Sequence, residues 1–166
     1  MPDKSSVIVL IGPMGVGKST VGKKLARALK VPFCDTDSLI VDEHGKIADF
    51  FAAHGEEAFR EVEHQALLRA LKSPGVVATG GGAVLLEKSR QLLKSATVVY
   101  LATDGKHMAS RLRNGTRPLL KNGMEDWKRI YDSRKSIYEQ TADVTIDTSG
   151  HPLAQTISEI RERLSI

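Results

Sequence analysis

Five apolar residues, Val7-Ile8-Val9-Leu10-Ile11, run directly into Gly12-Pro13-Met14-Gly15-Val16-Gly17-Lys18-Ser19, and helix-spaced apolar residues follow at once. No other stretch restricts the fold as tightly. An unbroken β-branched run of strand length reads as a parallel strand buried on both faces. Val21, Leu25, Ala28 and Leu29 then predict one face of an amphipathic helix. A glycine-rich turn between such a strand and helix lets successive backbone N–H groups curl around anionic oxygens, with the helix dipole behind them. Lys18 is spaced to reach β- and γ-phosphates, the Ser19 hydroxyl is spaced to ligate Mg²⁺, and Thr20 continues the helix start. The loop therefore predicts a nucleoside triphosphate site. A dinucleotide fingerprint is disfavoured, because after Gly15-Val16-Gly17 its third glycine would fall where Thr20 stands.

The alternation continues to the end of the chain. Val31-Pro32-Phe33-Cys34 predicts a short strand ending at Asp35, followed by helix from about Ser38 to Ala53 with a break near Gly45. A second helix runs from about Glu56 to Leu71, with Phe59, Val62, Ala66, Leu67 and Ala70 at spacings of three and four. Further strands are predicted at Val76-Val77-Ala78-Thr79, Thr97 to Leu101 and Val144-Thr145-Ile146, and Leu153, Ile157, Ile160 and Leu164 mark a terminal helix. Strands separated by helices imply an α/β fold, with a parallel sheet, right-handed crossovers and helices on both faces. Ligands then belong beyond the carboxyl ends of the strands. At 166 residues, with no linker or repeat, one domain over 1–166 is expected.

Composition narrows the function by exclusion. A hydrophobic fraction of 41% with 27% charged residues excludes wholesale disorder. The net charge of +4 comes with acidic residues interspersed and no long basic run, which argues against nucleic acid and for small anionic ligands. No stretch approaches the ~20 apolar residues of a membrane span, and the first residues do not read as a signal peptide, so a cytoplasmic protein is expected. The single Cys34 excludes an internal disulfide and a cysteine-based metal site, and reads as a buried small hydrophobe. The five histidines lack metal-ligand spacing and are expected to be exposed or partly packed. Trp127, Tyr131 and Tyr138, interleaved with Ile130 and Ile137, read as core.

Several polar groups fall at strand ends. If Asp35-Thr36-Asp37 stays extended, both carboxylates face one side, one suited to a hard cation and one to an acceptor hydroxyl. A turn or a helix N-cap is the alternative. Arg60 lies in the second turn of its helix, three residues from Glu63, and its planar fork suits a substrate carboxylate; a solvated ion pair is the commoner fate. Gly80-Gly81-Gly82 permits close backbone approach to a ligand. Ala78 and Thr79 stand where many phosphate-loop enzymes carry a metal-binding Asp, which shifts that role toward Ser19 and Asp35. The segment 114–123 has glycines at both margins, Gly115 and Gly123, with basic residues between, and reads either as a mobile lid or as a surface loop.

Taken together, the phosphate loop, Asp35-Thr36-Asp37, Gly55 to Arg60, Gly80-Gly81-Gly82, Arg117-Pro118-Leu119-Leu120 and Arg134-Lys135-Ser136-Ile137-Tyr138 resemble the shikimate kinase family in order and spacing from Val7 to Asp147. The resemblance implies a P-loop, nucleoside-monophosphate-kinase-like fold with a five-stranded parallel sheet, a substrate-binding region at about 35–62 and a lid at about 114–123. It implies transfer of the ATP γ-phosphoryl group to the 3-hydroxyl of shikimate, toward chorismate and aromatic amino acids, with Mg²⁺ as cofactor. Residue by residue it assigns Asp37 to the ring hydroxyls and the base role, and Arg60 and Arg134 to the shikimate carboxylate. Gly80, Gly81 and Gly82 are assigned to substrate contact, Asp35 and Ser19 to the metal, and Lys18 and Arg117 to the phosphates. Gly12 to Thr20 form the remainder of the ATP site, with Arg111 or Arg113 against adenine. A monomer is expected. Gluconate or another small metabolite remains an alternative substrate, and a nucleotide-dependent regulator without kinase chemistry is an alternative of another class.

Overall fold

The computed structural model describes residues 6–109, 120 and 122–166. Its five strands are β1 (Val7–Ile11), β2 (Phe33–Asp35), β3 (Gly75–Ala78), β4 (Thr97–Ala102) and β5 (Val144–Asp147). They form one sheet in the order β2-β3-β1-β4-β5, and every pairing is parallel. Six helices are seen among the described residues: α1 (Lys18–Leu29), α2 (Thr36–His44), α3 (Ile47–Ala70), α4 (Glu87–Leu93), α5 (Met124–Thr141) and α6 (Leu153–Leu164). Among the described residues no helix is long and apolar enough to cross a membrane.

Alternation along the strands divides the core in two, because successive side chains leave opposite faces. Val7, Val9, Ile11, Val77, Val98 and Tyr100 join Leu67 of α3, Leu93 of α4 and Trp127, Tyr131 and Tyr138 of α5. Leu10, Val76, Val99, Leu101 and Ile146 join Val21, Leu25 and Ala26 of α1 and Ile160 of α6. With both faces covered, the strands are apolar at nearly every position, as their sequences predict. The edge strand β5 is the exception and exposes Thr145 and Asp147. A satellite cluster, Ile40, Phe59 and Ala66 with Phe50 and Phe51 against it, joins α2 to α3.

Glycines shape the two helices that follow β2. Gly45 closes α2 with φ 80°. Gly55, at φ 83° and ψ 174°, kinks α3, which otherwise runs through without a separate loop. The predicted breaks at both positions are thus observed. Two local expectations are corrected. Val21 and Leu25 are buried as predicted, but Ala28 is exposed and Gly22 and Ala26 are buried, so the inner face of α1 is turned slightly from the predicted one. Cys34 is only half-buried, although burial still pushes its thiol pKa up and keeps it unreactive at neutral pH.

Register is what brings the functional loops together. Asp35 pairs with Ala78 and Ala78 with Leu10, so β2, β3 and β1 end level with one another. The phosphate loop and the triple-glycine loop therefore leave adjacent strands, and Asp35 leaves the next one out. This is the rim where strand order reverses and where open parallel sheets bind ligands.

At the opposite end of the sheet Gly75 starts β3 at φ +138°, and a Cβ there would lie 2.4 Å from the Pro32 carbonyl oxygen. Gly75→Ala therefore meets both a strained φ and a backbone clash. It should lower stability by about 2–4 kcal/mol, read as a shifted midpoint in urea unfolding.

Candidate active site

A single cleft of about 1120 Å³ runs across the rim, lined at one end by Met14 to Val21 and at the other by Asp37, Arg60, Glu63, Gly80, Gly81, Gly82 and Arg134. Thr148, His151, Leu153 and Thr156 line it beside the phosphate loop, and Val41, Ile47, Phe51 and Phe59 supply an apolar wall. The nucleotide loop and the polar cluster singled out in the sequence thus share one cavity. Val41, Lys46, Ile47 and Phe51 were not legible as site residues, since nothing in their spacing separates a cleft wall from an amphipathic helix face.

At the phosphate loop, Lys18 is buried and its ammonium donates to the carbonyls of Gly12 (2.7 Å) and Pro13 (2.8 Å). The charge is held over the loop from which it projects. The Ser19 hydroxyl donates to Asp35 Oδ2. Asp35 Oδ1 accepts from the backbone N–H of Asp37 (2.9 Å) and of Ser38. Asp35 is therefore the N-cap of α2, and Asp37 lies in the first turn of that helix. Of the two readings of Asp35-Thr36-Asp37 the helix N-cap holds and the extended one does not: capping competes with extension, and Thr36 is already helical. The two carboxylates still diverge, Asp35 toward Ser19 and Asp37 toward Gly80.

Arg60 is buried, donating through Nη1 to Glu63 Oε1 at 2.9 Å and through Nε to Glu56 at 3.4 Å. This is no solvated surface pair. Burial raises the Glu63 carboxyl pKa, while the Arg60 guanidinium pulls it back down. Arg134, on α5, is buried too. A buried ion pair costs desolvation that its attraction seldom exceeds, so two buried guanidiniums beside a cleft point to a ligand of opposite charge.

Why glycine stands at both margins of this triplet becomes clear from these neighbours. None of the three glycines has a left-handed φ. A Cβ at Gly80 would lie 2.8 Å from Glu63 Oε2 and 3.0 Å from Asp37 Oδ1; at Gly81 it would lie 3.5 Å from Arg134 Nη1. At Gly82 it would fall 2.1 Å from Arg60 Nη1. Gly80 and Gly82 are bare so that the protein's own charged groups can lie on them, while Gly81 packs against Met14.

Tyr138 donates to the Gly81 carbonyl from α5, and burial pushes its pKa up to about 12. Trp127, Tyr131 and Tyr138 are all buried, as expected. His64 is the exception among the histidines: it is buried and bonded through Nδ1 to Ser89 Oγ at 2.8 Å, and burial lowers its pKa. Arg111, Arg113, Arg117 and Gly115, with most of the 114–123 segment, lie outside the described residues.

The shikimate kinase family model matches residues 14–165. The chain belongs to the shikimate kinase family. It is 38% identical to a shikimate kinase of Rhodococcus jostii, covering 95% of this chain and 96% of that one. With a shikimate kinase of Enterococcus faecalis it shares 40%, over 95% and 97%. Among solved structures it is similar to the Acinetobacter baumannii shikimate kinase in complex with shikimate, at TM-score 0.89 and 35% identity over 96% and 93% of the chains. A gluconokinase of Sinorhizobium meliloti, at TM-score 0.57 and 22% identity over 96% and 95%, shares the fold alone.

The Arg60 seat generates a test that needs no ligand. Gly82→Ala should expel Arg60 and leave the Glu63 carboxylate buried without its partner, at a cost of about 1–3 kcal/mol in urea unfolding. Adding Glu63→Gln should recover part of that loss, because the stranded group is then neutral.

Proposed function

We propose that this kinase transfers the γ-phosphoryl group of ATP to the 3-hydroxyl of shikimate. One observation carries the reading: two buried guanidiniums, a carboxylate and a triple-glycine loop occupy the same cleft as a complete phosphate loop. An anionic, polyhydroxylated acceptor matches that set, with its carboxylate on Arg60 and Arg134 and its ring hydroxyls toward Asp37 and the Gly80 to Gly82 backbone. The apolar wall of Val41, Ile47, Phe51 and Phe59 suits a carbocycle face. Every group assigned comes from one chain, so a monomer suffices.

Phosphoryl transfer needs little covalent help from the protein and much positioning. Lys18 sits where it can turn from the Gly12 and Pro13 carbonyls to the phosphates, and the α1 dipole adds positive potential there. Asp37 is placed to orient the acceptor hydroxyl and take its proton. The Ser19 hydroxyl and the Asp35 carboxylate, already in contact, form an all-oxygen donor pair of the kind Mg²⁺ accepts alongside water and phosphate. When bound, Mg²⁺ would supply charge neutralisation at the β- and γ-phosphates. Arg117 and either Arg111 or Arg113 are assigned to the phosphates and to adenine on family resemblance.

Coupled ADP release across shikimate, gluconate, quinate and nucleoside monophosphates tests the assignment. Mg²⁺-dependent turnover should require shikimate; equal or greater turnover with gluconate would overturn the reading. Asp37→Asn should lower kcat by at least ~10²-fold, the usual lower scale for a general base. Its dissociation constant for ADP should hardly change, because Asp37 is assigned to the acceptor.

A further inference from the structure

The phosphate loop begins with a turn whose central peptide has two available orientations. Val16 N–H donates to the Pro13 carbonyl at 3.4 Å, closing Pro13-Met14-Gly15-Val16. Gly15 has φ +80°, while Met14 is not among the residues with positive φ. A positive φ at the third position alone defines a type II turn. Types I and II share the same closing bond and differ in the direction of the central peptide, here Met14–Gly15. Glycine at the third position tolerates either. The closing bond therefore does not choose between them.

A side chain from another part of the chain does. Trp127 Nε1–H, in the first turn of α5, donates to the Met14 carbonyl at 2.7 Å. Its indole is buried, tilted against the Tyr131 ring at a centroid distance of 5.2 Å and seated over Gly105, where a Cβ would lie 2.8 Å from the ring. Trp127 is 3% exposed, so its N–H must be satisfied within the protein. The helix that carries it is anchored independently. Tyr131 bonds the Tyr100 hydroxyl and accepts from the Thr103 N–H, and Tyr138 bonds the Gly81 carbonyl.

From this we infer that Trp127 is a positioning residue for nucleotide binding, acting through the Met14 peptide. Its hydrogen bond holds the turn in the type II form. In a planar trans peptide the C=O and N–H point in opposite directions. Trp127 stands outside the cleft that Gly15 lines, so with the Met14 carbonyl drawn toward the indole, the Gly15 N–H is directed to the cleft side. Flipping the peptide would reverse that amide but leave the Met14 side chain, which lies against Gly81, almost where it is. The effect should therefore fall on nucleotide and spare the acceptor. The inference rests on the reading of this loop as the ATP site.

Trp127 is the single tryptophan of the chain, so it can be replaced biosynthetically by its benzothienyl analogue, in which sulfur stands for the N–H and ring shape is kept. The modified protein should show KM for ATP and the dissociation constant for Mg·ADP raised about tenfold, the order lost with one charge-assisted amide bond. KM for shikimate should stay within twofold, and Trp127→Phe should reproduce the same split with a larger fall in Tm. Nucleotide constants within twofold of the unmodified protein, or equal weakening of both substrates, would overturn the inference. Failure of the unmodified protein to bind Mg·ADP would overturn the reading of the loop and this inference with it.

Discussion

The parallel pairing of β1 with β3, in the register that sets Leu10 opposite Ala78, is the constraint on which the cleft depends. It releases the phosphate loop and the triple-glycine loop side by side, at one height, from two central strands. β2 ends level with them through the pair Asp35 and Ala78, which brings the cap of α2 to the same rim. A shift of one residue in either pairing would turn the core side chains of the strand to the opposite face. The two hydrophobic clusters, one on each face, make that shift prohibitive. Burial far from the cleft thus sets the distance between its phosphate-loop end and the end that holds Arg60 and Arg134.

On that frame the protein holds an unusual density of buried charge. Arg60, Glu63 and Arg134 are each buried, and Lys18 lies nearby at the base of the phosphate loop. Such groups do little for stability on their own, because desolvation offsets their attraction. Their arrangement makes sense as preorganisation: Glu63 fixes one guanidinium of the pair, and the bare backbone at Gly82 leaves room for it beside the cavity. On the proposed reading, an acceptor carboxylate would meet guanidiniums that are already desolvated.

Helix α5 joins the two halves. Trp127, Tyr131, Arg134 and Tyr138 follow one another at spacings of four, three and four, hence on one helical face. That face meets the phosphate loop at Met14, the end of β4 at Tyr100 and Thr103, and the triple-glycine loop at Gly81. Three aromatic rings supply the apolar area, and their polar tips satisfy backbone and hydroxyl groups that burial would otherwise leave unpaired. The same face that completes the core therefore positions the loops above it.

Strand periodicity, the phosphate loop, the helix breaks at Gly45 and Gly55 and the pairing of Arg60 with Glu63 were all legible in the sequence, because each rests on residues within a few positions of one another. Local sterics and backbone hydrogen bonding act at that range, and a single chain displays them directly. The order and spacing of the motifs also marked the family. What only the tertiary structure decided involves partners far apart along the chain. Asp35 became a cap in contact with Ser19 rather than part of an extended triplet, and Gly82 proved to be the seat of Arg60. His64 was drawn into the core by Ser89, and Trp127 reached Met14 across more than a hundred residues. These outcomes depend on which surfaces the register of a parallel sheet brings into contact, and local composition carries no trace of that register.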